Sequence, residues 1–220
     1  DINRGTGAFD VAIDAIELLR KEKVPVRVSA TLTKASMHEV GFLAKLAHEK
    51  NFQLFFSILF KPLKKAEHLE MSNEDIRQVI SEMRKYKAMG YPIFTSEPVL
   101  SAAYEWPFDF NDKFHSTLED LPASYKKHHI PCYYSRTKFT IEADGFVYPC
   151  FLTTDGSFPP VNWKEVGIRE AIRHVQNTNT CKACPAMSQN DHNLLLGLSG
   201  KQIKHVMKQQ LFEALRIRKK

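Results

Sequence analysis

The chain has 220 residues, of which 43% are hydrophobic and 25% charged, and a formal net charge of +6. That length suits one large domain or a moderate domain with a small one, and the composition is that of an ordinary globular protein. No apolar run approaches the ~20 residues that cross a bilayer. The opening DINRGTGAFD lacks the basic-then-apolar pattern of a signal sequence. Basic residues in KPLKK, YKKHH and RIRKK are scattered and do not merge into one stripe with interleaved aromatics. A cytoplasmic protein with no membrane partner is expected, and solvated basic faces are favoured over a nucleic-acid surface.

The elements follow in chain order. Phe9, Ala12, Ile13, Ile16 and Leu19 recur at three- and four-residue steps and predict an amphipathic helix over 9–21. VPVRVSATL over 24–32 alternates and is β-branched, which suits a strand. A second helix is expected over 38–49 with Val40, Leu43, Ala44, Leu46 and Ala47 inward, then a buried strand over 52–60. Strands separated by helices pair in parallel, because a tight hairpin cannot join parallel strands. Residues 62–71 read as a turn, Ser72 as the N-cap of a helix ending at Met89-Gly90, and YPIFTS as a short extended piece.

Prolines 98, 107, 122 and 131 punctuate a stretch of weak periodicity, and 106–131 is read as a linker. RTKFTIEADGFVYPC then predicts a hairpin turning at Asp144-Gly145, since glycine tolerates positive φ. A helix over 161–175 and a terminal helix over 200–215 complete the chain, with no internal sequence repeat.

Only four cysteines are present, spaced Cys132-x17-Cys150-x30-Cys181-x2-Cys184. A Cys-x-x-Cys turn lets two thiolates converge on one centre, and a cysteine leaving a hairpin after Pro149 offers a third at a fixed position. Disulfides would require an oxidising compartment, and isolated buried cysteines would not be expected to fall into ligand spacing. Spacing alone leaves zinc and an Fe–S cluster both open, because four thiolates satisfy either.

The wider pattern Cys132-x12-Gly145-x4-Cys150, followed by Cys181-x2-Cys184, resembles the shortened "Twitch" form of the SPASM domain of radical S-adenosylmethionine enzymes. The hairpin IEADGFVYPC and the helix KEVGIREAIRHV leading into CKAC carry that likeness. Upstream, DINRGTGAFDVAIDAIELLRKEKVPVRVSATLT is similar to the back half of the family's barrel. The resemblance implies an α/β fold: residues 1–105 as later β/α units of a partial (β/α)6 barrel, a linker over 106–131, and a small α+β auxiliary domain with a hairpin and helices over 132–220.

It further implies one auxiliary [4Fe–4S] cluster on Cys132, Cys150, Cys181 and Cys184, serving electron transfer or structure. In the full-length enzyme a second [4Fe–4S] cluster and S-adenosylmethionine would generate a 5′-deoxyadenosyl radical that abstracts hydrogen from a peptide or small-molecule substrate. The electron donor would be a flavodoxin or ferredoxin. Arg4 takes the place of an arginine that helps hold S-adenosylmethionine in the family, against the plainer reading of a surface arginine capping a turn.

Two departures matter. No cysteine follows Cys184, so one auxiliary cluster is implied, and the Cys-x3-Cys-x2-Cys motif of the catalytic cluster is absent, which truncation would explain. The alternative of a different class is a non-catalytic interaction domain stapled by a four-cysteine zinc site. Tyr133, Tyr148 and Phe151 flank ligands and are candidates for shielding them. His128 and His129 are read as loop residues, His192 as ordering the Cys-x-x-Cys loop, and His205 as a surface or packing residue; none joins the ligand set.

Overall fold

The computed structural model describes residues 5–60, 64–112 and 114–218, and Arg4 lies outside them. The chain is α/β and divides into two compact units, 1–104 with 200–220, and 105–199.

In the first unit, helix α1 (Ala8–Lys21) leads to strand β1 (Arg27–Leu32), helix α2 (Val40–Glu49) to strand β2 (Gln53–Ile58), and helix α3 (Asn73–Ala88) to an extended segment. Strands β1 and β2 pair in parallel, from Arg27 opposite Gln53 to Leu32 opposite Ile58, and Ile93 makes a parallel bridge to Leu54 beyond them. Each crossover is therefore a helix, as the alternating periodicity predicts. The expected turn at 62–71 contains a short 3-10 helix, Lys64–Leu69.

The three helix ends share one device. The N–H of Val24 bonds to Leu19 O, that of Phe52 to Ala47 O and that of Tyr91 to Tyr86 O, at 2.9, 3.0 and 3.2 Å. The residue before each donor, Lys23, Asn51 or Gly90, has φ of 58, 58 or 89°. These are Schellman caps, which satisfy the orphan carbonyls and turn the chain sharply toward the sheet. At the other end of α3 the Ser72 hydroxyl accepts from the Asp75 N–H while the Asp75 carboxylate accepts from the Ser72 N–H, a complete capping box.

One face of the strand pair is buried through Leu32, Leu54, Phe56 and Ile58, joined by Val40, Ala44 and Ala47 of α2 and Ile76, Val79, Ile80 and Met83 of α3. The other carries Arg27, Ser29 and Thr31 exposed, with Thr31 hydrogen-bonded to Ser57. Only Ile16 of the expected inward face of α1 is buried, and Phe9 and Leu19 are both 42% exposed. The stripe in α1 is a true helical periodicity, but a stripe does not say whether anything covers it.

Two further helices complete this unit. Helix α4 (Glu97–Tyr104) forms where the prolines suggested irregular chain, because Pro98 sits in its first turn, where a missing N–H costs nothing. The C-terminal helix Gly200–Arg218 belongs here by contact, not with the cysteine region. Its His205 Nε2 donates to Phe94 O at 2.7 Å, and Gln209 accepts from the Gln53 side chain at 3.2 Å.

The second unit begins at Glu105. The described residues of the 106–131 stretch belong to it as packed structure: Trp106, Phe110, Leu121 and Tyr125 are each at most 3% exposed. Aromatic burial without repeat period leaves no sequence signature, which is why the stretch reads as a linker. Helix α5 (Ala123–Lys126) precedes a three-stranded antiparallel sheet of β3 (Thr140–Ile141), β4 (Phe146–Tyr148) and β5 (Val161–Asn162). The helix expected over 161–175 is split into β5, α6 (Trp163–Val166) and α7 (Ile168–Thr178), parted at Gly167 with φ of 83°. Val147 of β4 packs with Ala171 and Val175 of α7, all fully buried, and with Phe139 and Val161. Helix α8 (Met187–Leu196) closes the unit.

Candidate metal centre

The hairpin places the first ligand candidate. Val147 faces the core, so Tyr148 must point the other way, and Pro149 ends the ladder just before Cys150. Cys150 opens a tight turn, Phe151–Thr153, in which the Thr153 hydroxyl donates to Cys150 O at 2.6 Å and accepts from the Cys150 N–H at 3.3 Å. The register of β4 and this local turn together fix where its thiol emerges.

Cys132 follows Pro131 on the approach to the hairpin, and Cys181 and Cys184 lie on the loop between α7 and α8. That loop is held at several points. His115 N–H donates to Ala183 O at 2.7 Å, and His129 Nε2 to Lys182 O at 3.1 Å. Asn179 Oδ1 accepts from the Cys181 N–H at 3.1 Å, while its Nδ2 donates to Tyr134 O at 3.3 Å and Ser135 Oγ at 3.0 Å. One carboxamide thereby ties the Cys181 loop to the Cys132 loop.

All four cysteines line one cavity, with Phe114, Tyr134, Leu152 and Asn179 among its other walls. All four are free thiols. Three separate chain segments thus bring together residues up to 52 positions apart, the interval from Cys132 to Cys184. Cys184 is 6% exposed.

The electrostatics follow from crowding thiols in a dry place. Burial pushes the Cys150 thiol up to about 11 and the Cys184 thiol up to about 12. Cys132 is lowered and Cys181 raised, each chiefly by the other, and the Cys181 thiol donates to Ala183 O at 3.8 Å. Tyr134 is raised first by burial and then by the neighbouring thiolates. Four anions cannot coexist here without a counter-charge. A bound metal cation reverses that logic, since ligation removes the thiol protons.

Among the described residues, no group of three or more His, Cys, Asp or Glu side chains is gathered tightly enough to hold a single metal ion. As a donor set, four soft thiolates from three segments around one cavity suit a thiolate-bound centre, zinc or an Fe–S cluster alike.

The flanking aromatics are corrected by position. Tyr134, not Tyr133, lines the cavity, and Phe151 is 50% exposed. The Tyr133 ring instead packs against Gly197, where a Cβ would stand 2.9 Å from its Cε2. His192 is exposed and bonds through Nδ1 to the Tyr134 hydroxyl at 3.2 Å, one step from the cavity. His129 is engaged with the Cys-x-x-Cys loop and is not a simple loop residue. Sequence reading missed Asn179, Asn190 and Asn193, since asparagines in a loop or a polar helix carry no periodic signal.

Comparison with protein-family models, with curated proteins and with solved structures found no match.

Proposed function

We propose that Cys132, Cys150, Cys181 and Cys184 hold one auxiliary [4Fe–4S] cluster and that the chain is part of a radical S-adenosylmethionine enzyme. The observation that carries this reading is the convergence of every cysteine in the chain on one cavity. The parallel β–α–β arrangement of the first unit supports it, being the kind of repeat from which a (β/α)6 barrel is built.

When bound, the cluster would supply one-electron chemistry or structural order. The chain's own residues do the rest. Cys132, Cys150, Cys181 and Cys184 would together hold all four irons of such a cluster, which would leave no iron open to substrate. Tyr134, Phe114 and Leu152 wall the cavity and limit water, which tunes a cluster's potential. On this reading, S-adenosylmethionine cleavage and hydrogen abstraction from a peptide or small molecule belong to the whole enzyme, with a flavodoxin or ferredoxin as electron source and the cytoplasm as its compartment.

Anaerobic purification followed by reconstitution with iron and sulfide tests the reading. A brown protein with broad visible absorbance and equal iron and sulfide is expected. A colourless protein that retains one zinc and takes up no iron would sink it in favour of a zinc-stapled interaction domain.

A further inference from the structure

We infer that Asn190 and Asn193 are positioning residues: a one-directional carboxamide relay that links the Cys132 loop to the Cys184 loop and holds the two ligands in place. This rests on the reading of the four cysteines as ligands to one centre.

The relay is read from hydrogen bonds with assigned direction. Tyr133 N–H, the amide next to Cys132, donates to Asn193 Oδ1 at 2.9 Å. Asn193 Nδ2 donates to Asn190 Oδ1 at 3.4 Å. Asn190 Nδ2 donates to Cys184 O at 2.9 Å. A backbone N–H can only donate and a carbonyl can only accept, so both ends of the chain are fixed and neither carboxamide can flip without losing a bond.

Both residues lie on α8 three positions apart, which places them on one helical face. Asn190 is 2% exposed and Asn193 1%. Burying two carboxamides is costly unless each finds partners, and a polar pair inside a small unit needs a reason that packing alone does not supply. Here the partners are the two ligand loops. The Cys184 thiol also faces Asn190 Oδ1 at 4.0 Å. Helix α8 thus sets the separation of two ligands through polar bonds of fixed length. Outer residues that orient metal ligands contribute strongly to retention of the metal.

The relay makes a split prediction that simple packing does not. Asn193→Asp keeps the acceptor for Tyr133 N–H and removes the donor to Asn190; Asn193→Leu removes both. Two measurements on the full chain separate them: amide exchange at Tyr133 in the reduced, metal-free protein, and the rate at which a chelator strips whatever metal the wild type carries. In Asn193→Leu, Tyr133 exchange should rise about tenfold, as loss of one hydrogen bond implies. In Asn193→Asp it should stay near wild type while stripping accelerates about tenfold or more.

Unchanged Tyr133 exchange in Asn193→Leu, or wild-type stripping in Asn193→Asp, overturns the relay. If Asn193→Leu does not fold, the two readouts on Asn193→Asp decide alone. A wild type that binds zinc instead of iron defeats the cluster reading but leaves the stripping test valid. A wild type that binds no metal defeats that reading too, and Tyr133 exchange still judges the relay.

Discussion

Gly145 and Asn162 meet at the turn of the cysteine-bearing hairpin: a Cβ built on Gly145 would stand 2.7 Å from Asn162 Oδ1, and Gly145 itself has φ of 98°. Asn162 Nδ2 donates to Asp144 O at 3.2 Å, so strand β5 clamps the turn from outside. Gly145→Ala therefore meets both a steric and a backbone penalty, together about 1–3 kcal/mol. Urea denaturation should show that loss. Because β4 carries Cys150 out of the same turn, metal content per folded protein should fall as well, which a remote destabilising change would not cause.

Each of the four cysteines should matter to the centre. Cys→Ser at 132, 150, 181 or 184 is expected to lower bound iron and the visible absorbance after reconstitution, because serine is a poorer ligand for a soft-metal centre. Stripping the metal with a chelator should destabilise the wild type and leave the weakest-binding variants unmoved, since binding free energy adds to folding free energy. Thermal melting with and without metal measures both.

The capping box at α3 makes a pH-dependent contribution. The Asp75 carboxylate is held below the usual carboxylate range, first by its hydrogen bond from Lys34 Nζ at 2.7 Å and then by the Ser72 N–H and hydroxyl. A lowered folded-state value means the stabilisation is present above the unfolded value near ~4 and is lost as pH falls through the folded value. Asp75→Asn should narrow the stability difference from wild type as pH drops below ~4. Ser72→Ala should cost about 1 kcal/mol at neutral pH. Urea titrations at several pH values test both.

Lys23 occupies the left-handed position of the α1 cap, where Gly90 serves α3. Its φ of 58° carries a Cβ penalty of about 1 kcal/mol that glycine avoids, against a smaller entropy cost in the unfolded chain. Lys23→Gly should accordingly stabilise the protein slightly, by a few tenths of a kcal/mol up to about 1. A rise in thermal midpoint is the expected result; a fall would mean that the lysine side chain contributes more than its backbone costs.

The periodic elements were readable in the residues alone. Helix α3 with its Ser72 cap, the alternation that makes β1 and β2 parallel, and the Asp144-Gly145 hairpin depend on neighbours within a few positions, so composition and spacing determine them. Which four side chains form the candidate site was also readable, because cysteine chemistry is rare and these are the chain's only four.

Tertiary structure decided the rest. It buried Trp106 and Tyr125 in a stretch with no period, left Phe9 and Leu19 of α1 exposed despite a regular one, and joined the C-terminal helix to the first unit through contacts such as His205 with Phe94. It also chose Tyr134 over Tyr133 as a wall of the cavity, and recruited Asn190 and Asn193 to tie Cys184 to the residue after Cys132. The reason is one of range. A helix stripe or a cap is set by residues a turn apart, whereas burial and side-chain hydrogen bonding depend on partners 60 positions away, as Tyr133 and Asn193 are, and no local pattern encodes that distance.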